Sequence, residues 1–558
     1  GWNFALNRQL GDEVFHPTSL VNFRQRLNEH DQSALGFTTI LQALEEAGLV
    51  SRQSRQRLDS TQMFGRVARM SRLDCVRESL RLALKELEAA LRPEARPPFW
   101  LGLWERYVES QTDYRAGSET LARKLVEAGA DTWQLLEWLR QPGRSDLATA
   151  TQARLLARVF GEQFEIQANP TSAAAQPKIV VSPCDEPSAT TAPSTGASPA
   201  TEAGPSAVQA TPGSALAMPS TQESAASTAA PVTPPVAQAA PVEGNSVAGP
   251  DQNGSTQAPA QLNAPVIQPK AKKELPSERV QNPHDPEATY SVKGQGENKK
   301  EHVGYKVQVA ETVCEATLAP GEPTRNFLAG IVTQPAHHSD EAGASQMELE
   351  QARMGLEPPP VQYVDGAYVS AQRLAAASAQ GRELIGPAAG APDNNQGRFT
   401  TEQFQVNVEQ RTAVCPAGQS STQCSRLAEA QSSKVNYRFE WSTHCAACSL
   451  RSQCVGPTQR HRTIVVTEHH RFLQARRQEQ QTPAFQQRMK HRNAIEGTQS
   501  ELVRGHGLRH ARYRGLVKVR LQNYFIGAAC NVKRWLRREA WKLQQGLAAT
   551  AAAVPAGN

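Results

Sequence analysis

Val303-Gly304-Tyr305-Lys306-Val307-Gln308-Val309-Ala310 sets bulky apolar residues against small or polar ones, position by position. A period of two puts successive side chains on opposite faces of a strand, so the stretch predicts a strand with one face in water. Further on, Phe327 to Val332 predicts a second strand and Glu341 to Met354 a helix. Val361-Gln362-Tyr363-Val364 then predicts a short buried strand ending at Asp365, Ser370 to Ala379 a helix, and Glu383-Leu384-Ile385 another strand. A meander followed by strands alternating with helices predicts a mixed α/β (α+β) sheet.

Upstream of this sheet the chain reads as helical. Phe23 to Leu27 and Leu41 to Ala47 carry helical spacing, and Gly48 is a stop signal. Leu73, Val76, Leu80, Leu84, Leu87 and Leu91 recur near 3.6, as do the apolar residues from Leu121 to Leu139. One short extended piece, Arg57-Leu58-Asp59-Ser60-Thr61, interrupts them.

Between the two blocks lies a stretch of different composition. From Thr171 to Lys270 there are 23 Ala, 16 Pro, 12 Ser, 10 Thr and 6 Gly, with 8 charges and no aromatic residue. Ordering backbone costs about 1–2 kcal/mol per residue, and such a sequence has little to bury in return. A disordered linker is the expectation.

Charge is unevenly placed. The whole chain is +6, yet Arg460 to Lys542 has 19 Lys/Arg against five acids. A basic carboxy-terminal block suits a polyanion such as DNA, with Arg509, Arg512, Arg514 and Lys518 as candidate phosphate contacts. No apolar run reaches 18 residues, so no transmembrane helix is expected, and no signal pattern opens the chain. It begins Gly1-Trp2-Asn3, and missing upstream sequence is the expectation.

Five of the nine cysteines fall between Cys415 and Cys454, which argues for a reducing compartment and a metal. Cys415, Cys445, Cys448 and Cys454 include one C-x2-C knuckle, the spacing of a closed tetrahedral zinc site. Cys424 is spare, with His444 and His461 nearby. Cys75, Cys314 and Cys530 sit among apolar neighbours and are expected to be buried.

Asp365 ends a strand and precedes Gly366-Ala367-Tyr368, where a carboxylate would stand at the sheet edge used by ligands, or would cap the next helix. Arg492 and Glu496 are four apart on a predicted helix, hence on one face. Three carboxylates from separate elements, Asp59, Asp365 and Glu496, are what a pair of Mg2+ ions requires.

Asp59-Ser60-Thr61, Val364-Asp365-Gly366-Ala367-Tyr368 and Arg492-Asn493-Ala494-Ile495-Glu496-Gly497-Thr498 together resemble the D, D and E motifs of DDE transposases of bacterial insertion sequences. Gly304-Tyr305-Lys306-Val307, Leu508 to Leu516 and Asn531-Val532-Lys533-Arg534 extend the likeness. It implies an RNase H-like core with Mg2+ or Mn2+ held by Asp59, Asp365 and Glu496, and Arg492 at a phosphate. It also implies cleavage of double-stranded DNA at element ends, strand transfer, a homodimer on DNA and a bacterial cytoplasmic location. The broader pattern has Tyr where this chain has Met489 and Lys where it has Val503, with Arg504 one place further on as a substitute. These departures leave a catalytically inactive DNA-binding derivative as the alternative. Asp285 and Asp340 are rivals to Asp59 as the first acid.

The expected organisation is a helical domain over 1–58, a first catalytic strand plus helical insertion over 59–168 and a linker over 169–275. The mixed sheet comes next over 276–398, then the Cys-rich zinc-binding insertion over 399–465, basic helices carrying Glu496 over 466–545 and a disordered tail over 546–558.

Overall fold

The computed structural model describes residues 9, 16–111, 116–167, 265–294, 296–391, 397–428 and 434–553. The chain divides into a body, residues 1–167 and 266–558, and a unit at 168–265 of which Pro265 alone is among the described residues.

In the body, two amino-terminal helices, α1 (Pro17–Glu29) and α2 (Leu35–Glu46), precede strand β1 (Gln56–Phe64). Helices α3 (Arg72–Ala90), α4 (Ser118–Leu139) and α5 (Thr151–Gln163) make the insertion, with strands β2 (Phe164–Gln167) and β3 (Val266–Pro269) paired at its margin. The Ser71 hydroxyl caps α3 by accepting from the Asp74 amide at 3.2 Å. Leu80, Leu84, Leu136, Leu156 and Phe160 close a core separate from that of the sheet.

Strands β4 (Thr289–Lys293), β5 (Lys300–Thr312) and β6 (Leu328–Pro335) come next, then helix α6 (Asp340–Arg353), β7 (Val361–Tyr363), α7 (Ala371–Ala379) and β8 (Glu383–Ile385). Together with β1 they form one six-stranded mixed sheet. β5 runs antiparallel to β1, β4 and β6, whereas β1, β7 and β8 are parallel. β1 is therefore central, although the strands beside it lie far downstream, beyond the insertion and the unit at 168–265.

A Cys-rich module holds β9 (Gln405–Asn407), β10 (Thr412–Val414), β11 (Gln423–Ala428), β12 (Val435–Glu440) and β13 (Thr463–Thr467). The chain ends in α8 (His470–Glu479), α9 (Pro483–Asn493), α10 (Ile495–His506) and the long α11 (Leu516–Ala553).

Helices cover both faces of the sheet. Tyr305, Val307 and Val309 pack with Phe37 and Leu41 of α2 and Val519 and Ile526 of α11. Ala310, Val332 and Leu58 pack with Ala344 and Met347 of α6 and Leu374 of α7. The expectation of a half-exposed β5 is thus corrected. Gln308 is buried because α6 lies over it, and a Cβ at Gly343 would stand 2.2 Å from its amide nitrogen. The Gln308 side chain is satisfied locally, donating to Asp340 Oδ1 at 3.2 Å and accepting from the Tyr368 hydroxyl.

Three boundaries also shift. The expected linker, 169–275, lies mostly outside the described residues, but Val266–Pro269 is a strand, because Ile267 finds a buried place in the insertion core beside Phe164 and Val280. The expected tail at 546–558 is helical as far as Ala553, an Ala-rich run of high helix propensity, and residues 554–558 lie outside the described residues. The division at 58/59 falls within β1. Cys75 and Cys530 are buried as expected, but Cys314 is exposed, lying just past the end of β5 in irregular chain.

Candidate active site

β1 and β7 are paired in parallel, with Gln56 opposite Gln362 and Arg57 opposite Tyr363. Two residues further along, the chain reaches Asp59 within β1 and Asp365 just past the end of β7, so the parallel register brings the two carboxylates to the same edge of the sheet. Asp59 is buried; its Oδ1 accepts from the Ser60 amide at 2.8 Å and its Oδ2 from Arg492 Nη2 at 2.7 Å. Asp365 Oδ1 accepts from the Ala367 amide at 2.9 Å, capping the turn Gly366–Tyr368, while Oδ2 lies 3.8 Å from Arg492 Nη2. Ser370, not Asp365, caps α7.

Arg492 and Glu496 flank a break between α9 and α10 at Ala494, whose backbone stays close to helical (φ −66°, ψ −13°). The i, i+4 relation survives, with Arg492 Nη1 3.2 Å from Glu496 Oε1. One guanidinium thus touches all three acids. Asp365 and Glu496 keep 39% and 71% of their side chains exposed. Burial holds the Asp59 carboxyl above the usual carboxylate range; Arg492 beside it pulls the other way, and Asp365 adds to the rise.

The rivals bond elsewhere. Asp285 Oδ1 accepts from the Tyr305 hydroxyl at 2.7 Å and the Gly515 amide at 3.2 Å. Asp340 pairs with Lys306 at 3.2 Å and stands with Glu341 in the first turn of α6. Met489 packs beside Phe485 and Tyr363, and Val503 against the main core.

What holds α10 over the sheet was not legible as a site in the sequence. Buried Glu311 of β5 accepts from Arg57 Nε of β1 at 2.5 Å, Arg534 Nη1 of α11 at 2.6 Å and the Thr498 hydroxyl of α10 at 2.7 Å. Arg534 also pairs with Glu501 of α10 at 2.9 Å, and Gln499 donates to the Ser60 carbonyl at 3.1 Å. Asn531 bonds both backbone groups of Leu328 on β6, at 2.8 and 2.9 Å. Thr498, Asn531 and Arg534 stood in motif strings; Arg57 and Glu311 carried no signal beyond strand pattern.

Residues 414–536 match the family model described as a transposase DDE domain. The carboxy-terminal region is a transposase DDE domain. The match takes in Arg492, Glu496 and the four cysteines, whereas Asp59 and Asp365 lie ahead of it and reach it through the sheet. No curated protein and no solved structure matches the chain.

Within this DDE domain Arg504, Arg512, Arg514 and Lys518 are exposed. Arg509 is more engaged: Nη1 donates to the Gln62 carbonyl at 3.0 Å, and its own carbonyl accepts from the Phe64 amide at 2.9 Å. Cys415, Cys445, Cys448 and Cys454 line one small cavity together with Arg462. Burial pushes the Cys454 thiol up to about 11, and the other three thiols add to the rise. Among the described residues, the metal-type group whose ligand atoms all lie within 4.8 Å of one another is Glu501, His506 and Cys530; neither the three acids nor the four cysteines draw that close. That trio already holds Arg534 on Glu501, with Lys533 beside His506, which opposes a further cation.

Proposed function

We propose that this chain is a DNA transposase that cleaves phosphodiester bonds at the ends of a bacterial insertion sequence and joins the freed 3′-hydroxyl to target DNA, on an RNase H-like core. The carrying observation is that Asp59, Asp365 and Glu496, from three elements spread over most of the chain, meet at Arg492. A central first strand, flanked on one side by antiparallel and on the other by parallel neighbours, supports the proposed core.

The donor set suits divalent cations. Three carboxylates against one guanidinium leave two negative charges uncompensated, and hard carboxylate oxygens are the ligands Mg2+ or Mn2+ takes. When bound, such ions activate the attacking oxygen and neutralise charge developing on the phosphate. The chain's own part is placement. The Ser60 and Ala367 amides fix the orientation of Asp59 and Asp365, while the Glu311 network and Gln499 fix α10 and with it Glu496. Arg492 brings a fixed positive charge to the position of the scissile phosphate. Duplex DNA, taken on the exposed basic residues, and a second copy of the chain are the proposed partners, in the bacterial cytoplasm; no helix among the described residues is long and apolar enough to cross a membrane.

The test is strand cleavage of DNA carrying the element's flanks. Asp365→Asn and Glu496→Gln should abolish Mg2+-dependent cleavage while leaving gel-shift affinity nearly unchanged. Wild-type cleavage by either variant refutes the assignment, and absence of cleavage by the native chain favours the inactive derivative. Normal cleavage by Asp59→Asn with a dead Asp340→Asn or Asp285→Asn would move the first acid.

A further inference from the structure

The geometry points to a structural Zn2+ site in the Cys-rich module, closed by Cys415, Cys445, Cys448 and Cys454 and charge-balanced by the buried Arg462. It stands independently of the DNA chemistry proposed above.

Two turns present the thiols. After β10, Gly418 donates its amide to the Cys415 carbonyl at 2.8 Å and Cys415 donates its own to the Gln419 carbonyl at 2.9 Å, a tight return that Gly418 permits at φ +74°. The second turn is Cys445-Ala446-Ala447-Cys448, and Cys454 ends the short helix Arg451–Cys454 just beyond it. All four line one cavity of about 20 Å3, room for roughly one water-sized sphere. Cys424, on β11 opposite Phe439, does not line it, nor does His461, which lies against Glu440 at 3.4 Å.

Arg462 is the independent observation. It is 6% exposed and lines the same cavity. Its backbone amide donates to Cys445 Sγ at 3.4 Å, and its guanidinium donates to the carbonyls of Cys454 and Phe399 at 3.2 and 2.8 Å. Among the described residues no carboxylate pairs with it, and its Nε has no hydrogen-bond partner. A buried charge without a counter-charge is costly. Four thiolates around Zn2+ carry a net charge of minus two, which supplies the missing partner. Reduced, protonated thiols supply nothing.

The module also needs a staple. Strands of three to six residues and a core centred on Phe404, Phe439, Trp441 and Ile464 are little for a unit of this size. Zn–S bonds of ~2.3 Å in a tetrahedron place sulfurs ~3.8 Å apart, closer than the four thiols stand here, so metal would draw them inward.

The test uses the full chain purified without chelators. Elemental analysis should give one zinc per chain, and Co2+ exchanged into it should show thiolate charge-transfer and tetrahedral visible bands. Cys448→Ser should lose the zinc and Cys424→Ser keep it. Arg462→Gln should weaken zinc at least tenfold in chelator competition, with Arg462→Lys restoring most of it. Hydrogen exchange on zinc removal should quicken within 399–467 and not in the sheet. Zinc-free protein, a cobalt spectrum lacking thiolate bands, equal loss in Cys424→Ser, or unchanged affinity in Arg462→Gln would each overturn the site as described.

Discussion

Replacing Glu311 with Gln keeps the shape of a buried side chain and removes the negative charge that Arg57 and Arg534 share. All three are almost fully buried, with side chains 1%, 5% and 3% exposed. In the native chain two guanidiniums face two carboxylates, Glu311 and Glu501. In Glu311→Gln, Arg534 keeps Glu501, but Arg57 loses its counter-charge and is left with neutral acceptors, the new amide oxygen and the His491 carbonyl at 3.0 Å. Stripping one member from a buried pair typically costs about 3–5 kcal/mol. Unfolding entropy of ~2.1 cal/mol/K per residue over so large a body, residues 1–167 and 266–558, makes each kcal/mol worth roughly 1 °C, so the thermal midpoint should fall by roughly 3–5 °C. Circular dichroism melts of native and variant chains at one concentration read this directly. The double variant Arg57→Met, Glu311→Gln restores charge balance and should melt above Glu311→Gln alone. A midpoint within about 2 °C of native, or a double variant below the single, would refute the network as the clamp that joins β1, β5, α10 and α11.

Single contacts set the other expected outcomes. Gly304→Ala should destabilise by more than about 2 kcal/mol in urea unfolding, because its Cβ would stand 2.1 Å from the Met63 carbonyl oxygen of the paired strand. Asn531→Ala should lose about 1–3 kcal/mol in the same assay, leaving the Leu328 backbone groups unpaired in the core. Since burial raises the Asp59 proton affinity above its ordinary 3.8, the folded metal-free chain binds that proton more tightly than the unfolded one. Its stability should therefore decline as pH rises from 3.8 through the folded value, a slope that Asp59→Asn removes, and Mg2+ binding should weaken on acidification sooner than for an ordinary carboxylate. Replacing Arg512, Arg514 and Lys518 by Ala should flatten the log–log salt dependence of DNA binding by up to about 2.7, at ~0.9 per phosphate contact; an unchanged slope moves the DNA elsewhere.

Local periodicity carried most of the elements. The alternation at Val303 to Ala310, the helical spacing of α3, the Gly48 stop and the strand at Glu383–Ile385 are set by near neighbours in the chain and are visible from those neighbours alone. Candidate acids were visible too, because carboxylates beside turns and on predicted helix faces stand out by type and position, and the family likeness bound them into one set.

Pairing across the chain was another matter. That Asp59 and Asp365 share a level depends on β1 lying parallel to β7, a register written in no local spacing, across an insertion and an excursion that close through β2 and β3. Burial on both faces of β5 depends on where α6 comes to rest, so alternation alone read one face as wet. Arg57, Glu311 and Arg462 look in sequence like any solvated charge. Only tertiary packing takes them out of water, and once there each must find its counter-charge, which is why they became informative only in the folded chain.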